Sequence, residues 1–226
     1  MRVLDLFSGI GGFSLGLERA GMTTVAFCEI EPYCQAVLRK HWPEVPCYDD
    51  IRTLTAERLS RDGIRPDVLC GGFPCQPFSH ASHGKKTAKS LWPEMLRIMD
   101  AIRPRFVIGE NVQKLPISGA ARDLEGLGYR CDVKRIGAVD AGADHQRNRW
   151  WLIAHPHDNG ELSSAIDAEA SKLPTLCQNL WGTENFARIL RVPDGVSNRV
   201  DRLKALGNSI VPQIAEIIGK AIMECA

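Results

Sequence analysis

Short β-branched or apolar runs alternate with helical patterns over residues 1–154, and this alternation constrains the fold more than any other feature of the chain. The runs fall at 2–7, 23–28, 67–70, 106–109, 129–133 and 150–154, with helical periodicity between them at 13–20, 32–41 and 93–102. Parallel strands need a crossover connection, usually a helix, so the pattern predicts βαβ units and a mostly parallel sheet of the α/β class. Residues 155–195 read differently. Pro, Asp, Asn, Gly and Ser break every pattern there within a few residues, which predicts an irregular insert. Order returns in the tail, where Ile214, Ile217, Ile218, Ala221 and Ile222 share one helical face, with Pro212 near the first turn and Asn208 or Ser209 as caps. The expected division is a core over 1–154, a short insert over 155–198 and a helix over 199–226 that returns to complete the core.

Composition narrows the class. With 44% hydrophobic and 24% charged side chains in 226 residues, the chain can bury a sizeable core, which excludes a disordered or fibrous protein. No run approaches the roughly 18 apolar residues needed to cross a bilayer. The start, MRVLDLFSG, enters a strand pattern without a basic stretch or cleavage site, so a cytoplasmic protein is expected. The eight cysteines form no CxxC pair and the six histidines add no ligand spacing, so no metal is expected and most thiols should be reduced and buried. The net charge of +1 averages unlike stretches. Residues 1–62 carry seven basic and nine acidic side chains, 79–105 six and two, and 186–204 five and two, so the last two are expected to flank a polyanion.

The first strand runs into SGIGGFSLG, where Gly9, Gly11 and Gly12 let the backbone turn tightly and approach a ligand at the start of a helix. A dinucleotide fingerprint would need glycine where Ser14 stands, so hydride chemistry gains little support. Glu29 closes the second strand at the distance from which an acidic group hydrogen-bonds ribose hydroxyls, which points to a nucleoside-containing cofactor; a plain βα turn is the alternative. The acidic excess of this half suits a cofactor that carries positive charge.

GGFPCQPFS places Cys75 in a loop at a strand's carboxyl end, stiffened by Pro74 and Pro77. Cys28 and Cys70 sit in apolar runs as structural cysteines do, whereas Cys75 is fenced by Pro and Gln, and nearby His80, Lys85 and Lys86 favour its thiolate. FVIGENV brings Glu110 to the end of a central strand and into the same crevice. A carboxyl group there can face a base edge, particularly if burial raises its pKa enough for it to donate a hydrogen bond. Arg147 and Arg149, two apart before a buried strand, are expected on one side of an extended segment, aimed at phosphate or base oxygens or forming a solvated rim pair.

Together, DLFSGIGGFSLGL, Glu29, Asp50-Ile51-Arg52, GGFPCQPFS, Glu110-Asn111-Val112, the run from His145 to Arg149 and ALGNSIVPQIA resemble the cytosine-5 DNA methyltransferases of the bacterial or phage modification type. Motif order and spacing match over residues 1–154 and about 199–222. The resemblance implies a Rossmann-like S-adenosylmethionine-dependent methyltransferase sheet carrying a small irregular target-recognition insert. It implies a cofactor pocket from Asp5, Phe7, Ser8, Gly9, Gly11, Gly12, Glu29, Ile30, Asp50, Ile51, Gly72, Pro74, Leu91, Asn208 and Ser209. Phe7 would lie against the adenine, Glu29 on the ribose, and Asp50 with Ile51 at the adenine edge. Cys75 matches the nucleophile, Glu110 the group on cytosine N3 and N4, Arg149 the contact to O2 and Arg147 a supporting member. Gln76, Ser79, Lys85, Lys86 and Lys89 would hold DNA, with residues 80–92 as a loop that closes over the flipped nucleotide. His145 stands where the family often has glutamine.

The implied partner is double-stranded DNA, with a cognate restriction endonuclease as companion, no membrane and a monomeric enzyme. Two other readings share the motifs. A catalytically idle DNA-binding protein on this fold would lack Cys75 or Glu110, and both are present. A related branch acts on transfer RNA cytosine.

Overall fold

The computed structural model describes residues 1–74, 90–142, 146–155, 162–172 and 205–226. In chain order these form β1 (Arg2–Leu6), α1 (Gly12–Arg19), β2 (Thr23–Cys28), α2 (Pro32–His41), β3 (Cys47–Tyr48), α3 (Ala56–Arg61), β4 (Val68–Gly71), α4 (Trp92–Ile102), β5 (Phe106–Asn111), α5 (Lys114–Gly126), β6 (Arg130–Ile136), β7 (Arg149–His155), α6 (Leu162–Ser171) and α7 (Pro212–Cys225). The strands make one sheet in the order β3-β2-β1-β4-β5-β7-β6. From β3 to β5 the pairings are parallel. β7 enters between β5 and β6 and runs antiparallel to both. The expected mostly parallel α/β sheet is thus observed, and the chain leaves β1 to both sides, which creates a switch point at the carboxyl edge of β1 and β4.

Alternate strand residues feed two core layers. Leu4, Leu69, Val107 and Leu152 join the layer with Met95, Ile98 and Leu124. Val3, Val68, Phe106, Ile108 and Ile153 join the layer with Phe13, Leu17, Ile214 and Ile218. Burial on both faces explains why these strands read as continuous apolar runs. The predicted α7 face is buried in full. It packs close to α1 at two glycines: a Cβ on Gly16 would meet Ala215 Cβ at 2.7 Å, and one on Gly219 would meet Ala20 Cβ at 2.7 Å.

Several expectations need correction. Residues 155–195 are not irregular throughout, because α6 occupies Leu162–Ser171 and buries Leu162 and Ile166 in the α7 layer. Lys134 Nζ ties α6 to β6 through Ser163 O at 2.8 Å and Asp167 Oδ1 at 2.6 Å. The cap of α7 is Val211 and not Asn208 or Ser209; Pro212 takes the first helical position as expected. α5, with Pro116, Ser118 and Gly119 inside it, was obscured by its helix-breaking residues. Its buried Ile117, Ala120, Ala121 and Leu124 were the periodic signal that marks it.

Candidate active site

The turn after β1 is bent by left-handed backbone at Phe7 (φ 54°), Gly9 (φ 54°) and Gly11 (φ 86°). Such geometry is costly for a phenylalanine and is retained chiefly at functional sites. Gly11 is required by crowding as well, since a Cβ there would stand 2.6 Å from the Trp42 ring. A Cβ on Gly9 would meet no atom within 4 Å, so the backbone there faces open space. Glu29 is aimed at this turn: its carboxylate accepts from Gly9 N at 2.7 Å and from Glu31 N at 2.8 Å, and Gln35 Nε2 donates to its carbonyl at 2.6 Å. Ile30 beside it is 58% exposed. Across the crevice, Arg52 hydrogen-bonds Asp50 at 2.6 to 3.0 Å and holds its carboxyl below the usual range.

Asp5 takes a different place from the one expected. It is fully buried beneath the turn, where its carboxyl accepts from Ser14 Oγ at 2.8 Å and its carbonyl from Ser8 Oγ at 2.6 Å. It therefore shapes the turn from below and offers no surface to a ligand. Burial pushes its pKa up to about 7 despite the Ser14 bond.

Glu110 lies at the carboxyl end of β5, inside the strand, and is buried. Arg149 Nε, at the amino end of the reversed β7, stands 2.9 Å from Glu110 Oε1. Gly72 borders the other oxygen, since a Cβ on it would be 3.2 Å from Glu110 Oε2. Gly72 thus adjoins the carboxyl group as well as the crevice. Burial raises the Glu110 pKa to about 7, and the Arg149 and Arg147 charges offset only part of that cost. A carboxyl group so placed is neutral over part of the physiological range and can donate from the edge that Arg149 leaves free. Asn111 on the opposite strand face sends Nδ2 to Phe73 O at 3.0 Å, and Phe73 packs on Trp92 with ring centroids 5.0 Å apart. The chain that leads into Cys75 is therefore pinned beside Glu110 up to Pro74.

Arg147 departs from the expected extended segment. Its φ is 29°, and its Nη2 donates to Gly207 O and Ser209 O, both at 2.7 Å. The two arginines consequently serve different partners: Arg149 pairs with Glu110, and Arg147 holds the segment that precedes α7. That segment presses on the crevice floor, because a Cβ on Gly12 would meet Ile210 O at 2.7 Å and one on Gly72 would meet Ile210 Cδ1 at 3.6 Å. Burial and the neighbouring Arg149 lower the Arg147 pKa.

A family model described as C-5 cytosine-specific DNA methylase matches residues 1–185. The chain belongs to the C-5 cytosine-specific DNA methylase family. Among curated relatives, the Type II methyltransferase M.Eco47II of Escherichia coli is 34% identical over 227 aligned positions, covering 93% of this chain and 52% of that protein. M.HgiBI of Herpetosiphon aurantiacus is 34% identical over 206, covering 85% and 44%. The chain thus spans about half the length of the curated relatives it matches. In fold, it resembles a crystal structure assigned as a DNA modification methyltransferase encoded within an E. coli prophage, with a TM-score of 0.71, 19% identity and 99% of each chain covered. A Spodoptera frugiperda DNMT2 mutant gives a TM-score of 0.59 at 20% identity, covering 70% of this chain and 50% of that one.

Within this cytosine-5 methylase chain, the structure brings Phe7, Ser8, Gly9, Glu29, Ile30, Asp50, Ile51, Gly72, Glu110, Arg147 and Arg149 to one sheet edge. Leu91 joins them through its backbone N–H to Pro74 O at 3.4 Å, and Asn208 is exposed beside Ser209. Cys75, Gln76, Ser79, Lys85, Lys86, Lys89 and His145 lie outside the described residues, as do 173–204. Of the basic stretch 79–105, two described cations lie away from the crevice. Arg103 and Arg105 stand before β5, roughly 16 Å of strand from Glu110, where Arg103 bonds Leu127 O and Asp100, and Arg105 bonds Ala226 O. Sequence reading missed Asn111 and Ile210 as site-shaping residues; the ENV and NSIVP strings contained both but gave no sign of what each touches. Among the described residues no cluster could hold a metal ion, and no helix is long and apolar enough to cross a membrane.

Proposed function

We propose that the chain transfers a methyl group from S-adenosylmethionine to C5 of a cytosine flipped out of duplex DNA, with Cys75 as nucleophile. The observation that carries this reading is the buried Glu110 carboxyl, oriented by Arg149 on one oxygen and open toward Gly72 on the other, one loop away from the Gly9–Glu29 turn.

The residues of the turn fit the cofactor. Each Glu29 oxygen accepts one backbone N–H and keeps acceptor capacity for a ribose hydroxyl. Exposed Ile30 offers an apolar face to the adenine, Asp50 and Ile51 border its edge, and Gly9 leaves the backbone approachable. When bound, S-adenosylmethionine supplies an electrophilic methyl group on a positively charged sulfur.

Cytosine C5 is too weak a nucleophile to take that methyl group directly. Addition of the Cys75 thiolate at C6 makes C5 enamine-like, while Glu110 donates its proton toward N3 and Arg149 meets O2. Methyl transfer to C5 leaves S-adenosylhomocysteine; a base, water or hydroxide, then takes the C5 proton, the N3 proton returns to Glu110, and the electron pair released from the C5–H bond re-forms the C5–C6 double bond and expels the Cys75 thiolate. C5 and C6 are inaccessible inside the stack, so the base must be extruded at a cost of a few kcal/mol. Gln76, Ser79, Lys85, Lys86 and Lys89 are assigned to the DNA strand around it, and part of 155–198 to target choice. The Type II names of the relatives support a companion restriction endonuclease, with this chain acting as a monomer.

Incubation with labelled S-adenosylmethionine and either duplex DNA or transfer RNA tests the proposal. Transfer to DNA is expected. No transfer to either overturns the enzyme reading, and transfer to RNA alone moves the substrate. Wild type should be trapped covalently on DNA containing 5-fluorocytosine, and Cys75→Ala should bind DNA without trapping.

A further inference from the structure

The stretch from Asp50 to Leu54 forms a turn whose internal bonds define its shape but not its place. Thr53 N and Leu54 N donate to Asp50 O, both at 3.1 Å, and Arg52 closes on Asp50. Ile51 and Leu54 are buried among Tyr48, Leu59, Met95 and Met99, but apolar contact has no direction and tolerates sliding. Directional bonds to this turn come from α4. Arg97 Nη2 donates to Ile51 O and to Leu54 O, both at 2.9 Å, one proton to each carbonyl. Glu94 Oε2 accepts from Arg97 Nε at 3.0 Å and fixes the plane of the guanidinium. The helix that carries it is anchored through buried Met95, Ile98 and Met99.

We propose that Arg97 is a positioning residue for the adenine side of the cofactor pocket, which sets the Asp50–Ile51 edge through these two carbonyls. This rests on the reading of Asp50 and Ile51 as the adenine edge. Arg97 acts through the turn and does not touch the cofactor. A displaced edge should weaken the nucleoside and also blur recognition of the base. Lysine at this position can reach a carbonyl but lacks the planar fork that serves two carbonyls and Glu94 together.

The test is calorimetric binding of S-adenosylhomocysteine and of its N6-deaminated, inosine-containing analogue to the full chain. Wild type, Arg97→Ala, Arg97→Lys and Asp100→Ala are compared. Asp100→Ala is the control, because it removes an exposed ion pair of the same helix with Arg103 and leaves the turn untouched. Arg97→Ala is expected to weaken S-adenosylhomocysteine about tenfold, the loss of roughly one charged hydrogen bond. Its preference for adenine over the deaminated base should fall, and Arg97→Lys should recover part of both. Binding by Arg97→Ala equal to wild type, equal loss of both ligands, or the same loss in Asp100→Ala overturns the proposal. If wild type itself fails to bind S-adenosylhomocysteine, the cofactor reading falls and this inference falls with it.

Discussion

Arg149 Nε reaches Oε1 of Glu110 at 2.9 Å, yet the carboxyl group remains easier to protonate than an ordinary glutamate, because burial outweighs the ion pair. The two residues lie 39 positions apart and meet only because β7 runs backwards beside β5.

The raised value predicts a pH signature. Glu110 is neutral below about 7 and loses its proton as pH rises through that value, so donation to cytosine N3 fades on the alkaline side. Glu110→Gln keeps a neutral donor that does not titrate. It should lose roughly 100-fold or more in kcat, and the alkaline decline assigned to Glu110 should vanish from its pH–rate profile. Persistence of that decline in the variant would assign it elsewhere.

Gly72 guards the free oxygen. A methyl group there would sit 3.2 Å from Glu110 Oε2 and force a shift of a few tenths of an ångström. Gly72→Ala should lower kcat by about tenfold, as read from initial rates at saturating DNA and cofactor.

The divergence of the two arginines predicts a clean split. Arg149→Ala removes the nearest positive charge from Glu110, so the alkaline limb should move to still higher pH while kcat falls. Arg147→Ala instead releases the carbonyls of Gly207 and Ser209, and should weaken S-adenosylhomocysteine by about tenfold. Binding and rate measured side by side distinguish the two outcomes.

Asp5 carries a stability prediction. Its folded pKa lies near 7 against an ordinary value of 3.8, so the native chain binds the extra proton. Stability should therefore fall as pH rises from about 4 to about 7 and stay low above that. Asp5→Asn, which cannot ionise, should weaken this dependence to the share that Glu110 contributes and raise stability at pH 8.5 by roughly 1 to 4 kcal/mol, as read by denaturant melts. A wild-type melt without pH dependence in this window would refute the placement.

The central strands were legible because β1, β4 and β5 are buried on both faces, and β2 at Thr23–Cys28 matches the expected run residue for residue; half-exposed β6 runs on to Ile136, past the expected 133, and two-residue β3 is too short to leave a readable run. Glu110 was legible for a related reason, as a charge at the end of an apolar strand stands out. Arg147 was not. Two-residue spacing implies a shared face only in extended backbone, and the left-handed turn at Arg147 is set by Gly207 and Ser209, some 60 residues away. α6 escaped because its ten residues carry only Leu162 and Ile166 as large buried apolar anchors, and their partner face on α7 is equally remote. Arg97 read as one more surface cation for the same reason: nothing local indicates that two distant carbonyls converge on it.

The close fit of α7 on α1 has a consequence for how the protein is made. Phe13 and Leu17 are covered by Ile214 and Ile218, which leave the ribosome almost two hundred residues later. At translation rates of about 5–20 residues per second, that face of the nascent chain stays open for roughly 10 to 40 s. A nascent chain arrested before α7 would display this apolar layer, a sticky surface, to chaperones and proteases.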